Sequence, residues 1–228
     1  MAGILYNLLI LIAIPITASY FLWRVLVSRE SDQSWKENLG SLPILAGREP
    51  GRNLVWLHAV SVGEVMAALP VIRAIRRRLP DSIILVTTVT QTGNAVARKS
   101  AADADAVAYL PFDYSFMVRR ALDRVRPDLI AIMEVELWPN FLSIAGSRGI
   151  PIVMLNGRVS DSTYRNGSRW RWLTSWAASN LDRCCMQSAS DAERIIALGA
   201  PPEGVEVYGN TKFDQEGGKL PADAVEEK

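Results

Sequence analysis

Between Asn53 and Tyr208 short apolar runs alternate with stretches of helical periodicity, and that alternation decides the fold class before any single residue is considered. The runs fall near Asn53–Leu57, Ser82–Val89, Ala106–Leu110, Leu129–Met133, Pro151–Leu155, Asp182–Gln187 and Val205–Tyr208. The helical stretches cover Gly63–Arg78, a segment from Thr92, Phe116–Val125, Leu137–Arg148, Ser162–Ala178 and Ser190–Leu198. Parallel strands need a crossover long enough to hold a helix, so repeated strand–helix units predict an α/β, Rossmann-like parallel sheet with helices on both faces. In such sheets ligands meet the carboxyl ends of the strands.

Ahead of this domain, Met1 to Trp23 carries no charge, and Ile4 to Val27 is apolar apart from Asn7, Thr17, Ser19 and Arg24. That length can cross a hydrocarbon core of about 30 Å, so residues 1–30 read as a single transmembrane anchor, kinked at Pro15. Arg24, Arg29 and Lys36 follow the run and nothing basic precedes it, which places the remainder in the cytoplasm. Residues 31–52, punctuated by Gly40, Pro43, Gly47 and Pro50, read as a juxtamembrane segment with one short helix around Trp35 to Leu39. Residues 53–214 form the α/β domain, and 215–228 a charged, small-residue tail.

Lys+Arg 25 against Asp+Glu 24 gives a formal charge of +1, without the basic field of a nucleic-acid binder. The adjacent Cys184 and Cys185 and a single histidine offer neither a disulfide framework, a zinc-ligand spacing nor a Ser-His-Asp hydrolase.

The chemistry falls at the strand ends. Ser61, Val62 and Gly63 form the first strand-to-helix turn, and Glu64 lies in the helix's first turn, where unpaired N–H groups and the positive dipole end favour an ionised carboxylate suited to act as a general base. Thr88, Thr90, Thr92 and Gly93 follow the second strand, Pro111-Phe112-Asp113 the third, Glu134-Val135-Glu136 the fourth and Asn156-Gly157-Arg158 the fifth. Singly these are ordinary caps and turns; together they line one edge of the sheet and outline a cleft. In an extended strand end Glu134 and Glu136 point the same way, so like charge raises one pKa, and the pair is placed to hold a sugar hydroxyl or orient the base. His58 reads first as a core histidine and second as a site residue. Arg73, Arg76 and Arg77 share a helix face that could meet anionic lipid, with dipole compensation as the plainer reading. Trp172, Leu173 and Trp176, on a face with Arg169, suit a phosphorylated amphiphile or ordinary packing.

His58-Ala-Val-Ser-Val-Gly-Glu64, Thr87-Thr-Val-Thr-Gln-Thr-Gly93, Tyr109-Leu-Pro-Phe-Asp113, Glu134-Val-Glu-Leu-Trp-Pro-Asn140, Asn156-Gly-Arg-Val-Ser160 and Gly209-Asn-Thr-Lys-Phe-Asp214 occur in the order and spacing of a known family. The chain resembles the bacterial 3-deoxy-D-manno-octulosonic acid (Kdo) transferases of lipopolysaccharide synthesis, from near its start to Asp214. Gly157 stands where alanine is expected, and Thr211 where leucine is.

The resemblance implies the N-terminal, acceptor-binding half of a GT-B glycosyltransferase that moves Kdo from CMP-Kdo to a lipid A precursor. It implies inversion, no cofactor and no metal-binding Asp-x-Asp. Glu64 matches the family's base, and His58, Ser61, Gly63, Thr88, Thr90, Thr92, Gly93, Glu134, Glu136, Asn156, Arg158 and Lys212 are the substrate-binding candidates. The donor-binding C-terminal domain is expected to be absent from these 228 residues, so CMP-Kdo binding would need that domain, in a separate chain if the enzyme is split. The protein is expected at the bacterial inner membrane with its domain cytoplasmic. Two other readings stay open: a non-catalytic anchored module that binds lipid A precursor or a partner chain, and an unrelated sugar-nucleotide enzyme. The second lacks a Gly-x-Gly-x-x-Gly at the first helix.

Overall fold

The computed structural model describes residues 2–12, 14, 32–43 and 52–211. Its elements in chain order are α1 (Ala2–Ile12), α2 (Asp32–Asn38), β1 (Leu54–His58), α3 (Val62–Arg78), β2 (Ile83–Thr88), α4 (Gln91–Ser100), β3 (Ala106–Tyr109), α5 (Ser115–Val125), β4 (Leu129–Met133) and α6 (Pro139–Ser147). They continue with β5 (Ile152–Gly157), α7 (Asp161–Arg169), α8 (Arg171–Ala178), β6 (Arg183–Met186), α9 (Ala189–Leu198), a 3-10 turn (Pro202–Gly204) and β7 (Val205–Val207).

The strands form one seven-stranded sheet in the order β3-β2-β1-β4-β5-β6-β7, and every pairing is parallel. Continuous apolar runs such as Leu54-Val55-Trp56-Leu57 form these strands because both faces of a parallel sheet are covered. Along β1, β2 and β4 alternate residues enter opposite cores. Trp56, Leu85 and Ile132 join Leu122 of α5, Phe141 of α6 and Ile195 of α9. Leu57, Val86 and Met133 join Val65 and Ile72 of α3 and Ala97 of α4. The strand order reverses between β1 and β4, which opens a crevice at their carboxyl ends.

Four expectations change. First, α1 has 11 residues, a length of about 16 Å, and among the described residues no helix is long and apolar enough to cross a membrane. The described part of the expected anchor, α1, lies on the domain, with Tyr6 edge-on to Trp176 at 6.0 Å between centroids. Residues 13 and 15–30 of the expected anchor, the 215–228 tail and Lys212 fall outside the described residues.

Second, the single helix expected over Ser162–Ala178 is two, broken at Trp170 (φ −109°, ψ 37°). Third, Glu134 does not prolong β4 but has φ 54°, so the chain leaves the strand at once. Fourth, Arg76 is turned into the fold and does not present itself to lipid: it donates to the Asp103, Pro80 and Ser82 carbonyls and pairs with Asp105 at 2.6 Å.

Candidate active site

Glu64 is built into its turn at both ends. Ser61 is the N-cap of α3, and its hydroxyl donates to Glu64 Oε1 at 2.9 Å while the Val60 N–H donates to Oε2 at 2.8 Å. The Glu64 N–H points back to Ser61 Oγ at a long 3.5 Å. Ser61-Val-Gly-Glu64 is thus a variant of the capping box, a pattern legible in the sequence as Ser-x-x-Glu. With 7% of its surface exposed, Glu64 has its pKa raised: burial is the largest cause, the Val60 and Ser61 hydrogen bonds oppose it, and Glu134 adds repulsion. Here burial outweighs the helix terminus, the reverse of the ordering expected from position alone.

The neighbouring turns hold this one in place. Thr90 caps α4 by accepting from the Gly93 N–H at 3.0 Å, and its hydroxyl donates to the Val60 carbonyl at 3.1 Å. A Cβ on Gly93 would lie 2.7 Å from Thr90 Oγ1 and 3.0 Å from the Val60 carbonyl oxygen, so only glycine lets the two turns approach this closely. Thr92, one residue earlier, is exposed. Gly63 differs, since a Cβ there would meet only Ser61 Oγ, at 3.9 Å. No protein atom requires that glycine, and it leaves open space beside the exposed first turn of α3.

Two sequence candidates lie behind the cleft surface. Thr88 is fully buried, where its hydroxyl accepts from Asn94 Nδ2 at 3.0 Å. His58 is also fully buried, with Nδ1 at 3.1 Å from the Thr87 carbonyl and 3.0 Å from its hydroxyl. Burial pushes the His58 pKa down to about 4, against a smaller opposing contribution from the Thr87 backbone, so the ring stays neutral. Nε2 has no partner, and the ring stands edge-on to Trp138 at 6.4 Å. Both residues therefore form the wall's interior.

Across the crevice, the loop from Glu134 to Trp138 links β4 to α6. Burial, then repulsion from Glu64 and Glu134, push the Glu136 pKa up to about 7. The Trp138 indole N–H, which finds no partner at hydrogen-bonding distance, lies close enough to offset part of that rise. The three carboxyls therefore sense one another across the switch point, although Glu134 and Glu136 arrive on a bent loop and not an extended strand. Among the described residues no group of three or more His, Cys, Asp or Glu side chains is placed to hold a metal ion.

At the end of β5, Asn156 also adopts φ 54° and is 2% exposed. Its Oδ1 accepts from the Thr211 N–H at 3.1 Å, and its carbonyl accepts from Gln187 Nε2 at 3.0 Å. Its Nδ2 is buried without a partner. Thr211 reaches further, donating to the Ala67 carbonyl on α3 at 3.3 Å, so Gly209-Asn210-Thr211 closes back onto the helix that carries Glu64. Backbone in the left-handed region at both Glu134 and Asn156 is costly for non-glycine residues and concentrates at working sites. Arg158 is exposed just beyond.

A family model described as 3-Deoxy-D-manno-octulosonic-acid transferase (kdotransferase) matches residues 33–215. The chain belongs to the Kdo transferase family. It is 36% identical over 162 residues to the 3-deoxy-D-manno-octulosonic acid transferase of Haemophilus influenzae, covering 70% of this chain and 38% of that one. With the enzyme of the same name from Chlamydia pneumoniae it shares 30% identity over 209 residues, 91% of this chain and 47% of that one. The chain thus spans less than half the length of these curated relatives. Among solved structures its fold resembles part of a UDP-GlcNAc 2-epimerase from Neisseria meningitidis (TM-score 0.53, 15% identity, 71% of this chain and 48% of that one). It also resembles the S. aureus MnaA-UDP co-structure (TM-score 0.55, 12% identity, 75% and 50%).

In this Kdo transferase-family chain the family-like motifs divide by task. The Glu64, Glu134 and Glu136 turns meet at the switch point, while Thr90 and Gly93 brace the Glu64 turn. The unexpected Gly157 is explained by Met186, whose thioether fills the space a Cβ would take, 2.4 Å from its ideal position. What the sequence does not reveal is that Tyr6 and Asn7 reach the Asp113 and Asn140 motifs; two adjacent hydrogen-bonding residues in an uncharged run are the only signal.

The carboxyl cluster makes a pH-dependent result. A carboxyl whose folded pKa is raised stabilises the fold fully below its unfolded pKa and loses that contribution as pH rises through the folded value. Replacing Glu136 with Gln should therefore flatten a fall in stability between about pH 4.5 and about 7, on the order of 1–3 kcal/mol in urea titrations. In Glu64→Gln, which removes a neighbouring negative charge, NMR titration should find Glu136 ionising below its wild-type midpoint.

Proposed function

We propose that this chain is the acceptor-binding half of an inverting, metal-independent GT-B Kdo transferase, with Glu64 as its base. The observation that carries the reading is the meeting of Glu64 with Glu134 and Glu136 at the switch point of a chain from this family. The acceptor hydroxyl of a lipid A precursor gives its proton to Glu64 while its oxygen attacks the anomeric carbon of Kdo. The bond from that carbon to the phosphate oxygen of CMP breaks, and CMP leaves with the electron pair. A phosphate monoester is a good leaving group, so one base suffices, unlike glycoside hydrolysis with its two carboxylic residues. Glu136, half protonated near neutrality, suits a hydrogen bond to a second acceptor hydroxyl. CMP-Kdo is held by a second domain, in the same polypeptide or in a separate chain. The protein that carries this chain, mixed with CMP-Kdo and a lipid A precursor, should release CMP and glycosylated lipid with inverted anomeric configuration by NMR. Absence of product with the donor domain supplied would refute the reading.

Gly63 gives a result in which stability and activity separate. Alanine at the second position of α3 should leave stability unchanged or raise it by about 0.4–1 kcal/mol. Because it fills open space where the acceptor approaches, transfer should fall about tenfold or more. Undiminished transfer would take Gly63 out of the site.

The localisation belongs to the same proposal: the domain works at the cytoplasmic face of the inner membrane. Ile4 is 70%, Leu8 54% and Ile12 74% exposed on α1, and the exposed Trp170 lines a groove with Tyr6, Leu9 and Ile10 of the same helix. An uncharged aliphatic face with an exposed Trp at its edge suits a membrane interface. Changing both Ile4 and Ile12 to Asp should at least halve recovery with phosphatidylglycerol vesicles in flotation.

A further inference from the structure

The Asp113 and Asn140 motifs stand outside the carboxyl cluster, and both contact α1. Trp138 occupies the N-cap position of α6 without a capping side chain, and Asp113, from the loop after β3, supplies the cap. Its Oδ2 accepts from the Asn140 N–H at 2.9 Å and its Oδ1 from the Phe141 N–H at 2.8 Å. Asn140 Nδ2 donates to the Asp113 carbonyl. Onto this seat α1 places two side chains. The Tyr6 hydroxyl donates to Asp113 Oδ2 at 2.9 Å, and the Asn7 and Asn140 amides exchange hydrogen bonds at 2.9 and 3.1 Å. A Cβ on Gly3 would lie 2.8 Å from the Trp176 ring, so α1 is also fitted closely against α8.

The same helix shares a groove with the carboxylate loop. Tyr6, Leu9 and Ile10 share a groove of about 640 Å³ with Val135 and Leu137, the residues that alternate with Glu134, Glu136 and Trp138. Only three residues separate Glu136 from Asn140. The loop is thus held at the start of α6, and its Val135 and Leu137 face α1 across this groove.

We propose that α1 is the support of the carboxylate loop: seated through Tyr6 and Asn7 on Asp113 and Asn140, it fixes the start of α6 and with it the placement of Glu134 and Glu136 opposite Glu64. Tyr6, Asn7, Asp113 and Asn140 are positioning residues. An element expected only to tether the domain thereby takes part in forming the site, and a helix resting on the bilayer would report membrane contact to it. The consequence for transfer rests on the proposed function; the placement of the loop does not.

Hydrogen exchange and NMR titration of the full chain test this without an activity assay. In Tyr6→Phe/Asn7→Ala, amides 134–138 should exchange about tenfold faster while those of β2 keep their rates. Glu136, released toward solvent, should titrate about one pH unit or more below its wild-type midpoint. Asn7→Ala and Asn140→Ala combined should do no more than Asn140→Ala alone, since Asn140→Ala already removes the contact that Asn7 makes there. A variant lacking residues 1–14 removes the helix outright. Unchanged exchange at 134–138 and an unchanged Glu136 midpoint in that variant would overturn the proposal. Both shifts without any Kdo transfer by the wild type would sink the transferase reading and leave this one standing.

Discussion

Glu64→Gln is expected to lower kcat for Kdo transfer by about 10²–10⁴-fold, while the acceptor KM stays within about threefold. The amide is isosteric and keeps one oxygen for the Val60 N–H or the Ser61 hydroxyl, but it cannot take a proton. Because Glu64 also caps its own helix, a fall in activity could reflect lost architecture, and Ser61→Ala separates the two. It removes the N-cap at a cost of about 0.5–2 kcal/mol and leaves the carboxylate in place. If Glu64 is the base, Ser61→Ala keeps transfer within about tenfold of wild type and Glu64→Gln does not. Comparable losses in the two variants, tracking their loss of stability, would reduce Glu64 to a cap.

Much of this site is legible from residue order. Continuous apolar strands announce a parallel sheet, and polar residues after five successive strands mark its working edge. What residue order does not show is which turns become neighbours. Glu64 and Glu136 are far apart in sequence and meet only because β4 pairs with β1, a non-local pairing that no local pattern encodes. The errors share one cause, tertiary contact overriding local tendency. Thr88 looks like a cleft residue because it is polar, yet Asn94 satisfies it in the interior; His58, read first as a core histidine, is one, held at Nδ1 by Thr87. Arg76 reads as a surface cation until the carbonyls after α3 and near β3 claim its guanidinium. Glu134 lies two residues before Glu136 and so suggested an extended strand end; its left-handed backbone is visible only once the chain turns toward α6. The pKa of Glu64 follows the same rule, since its helix position was readable and its burial was not.

Asp113→Asn is expected to destabilise the domain by about 3–5 kcal/mol, nearly as much as Asp113→Ala, although it differs from aspartate by one group. Three donors converge on two oxygens: the Asn140 and Phe141 N–H groups and the Tyr6 hydroxyl. Asparagine keeps one oxygen and turns an NH2 toward another donor, so one backbone N–H is left facing a group that cannot accept. The pH dependence carries a definite sign. Burial pushes the Asp113 pKa up to about 6, against the hydrogen bonds from Asn140, Tyr6 and Phe141. The folded state therefore favours the protonated form, and wild-type stability from this group falls as pH rises from about 4 to about 6. Neither variant has that ionisation, so their deficit should be larger at pH 5 than at pH 7.5, by about 1–2 kcal/mol in urea midpoints at constant m-value. A deficit below about 1 kcal/mol in Asp113→Asn would show that the three donors find water instead. A deficit that widens with pH would mean that the fold favours the carboxylate, because the donors around it outweigh its burial.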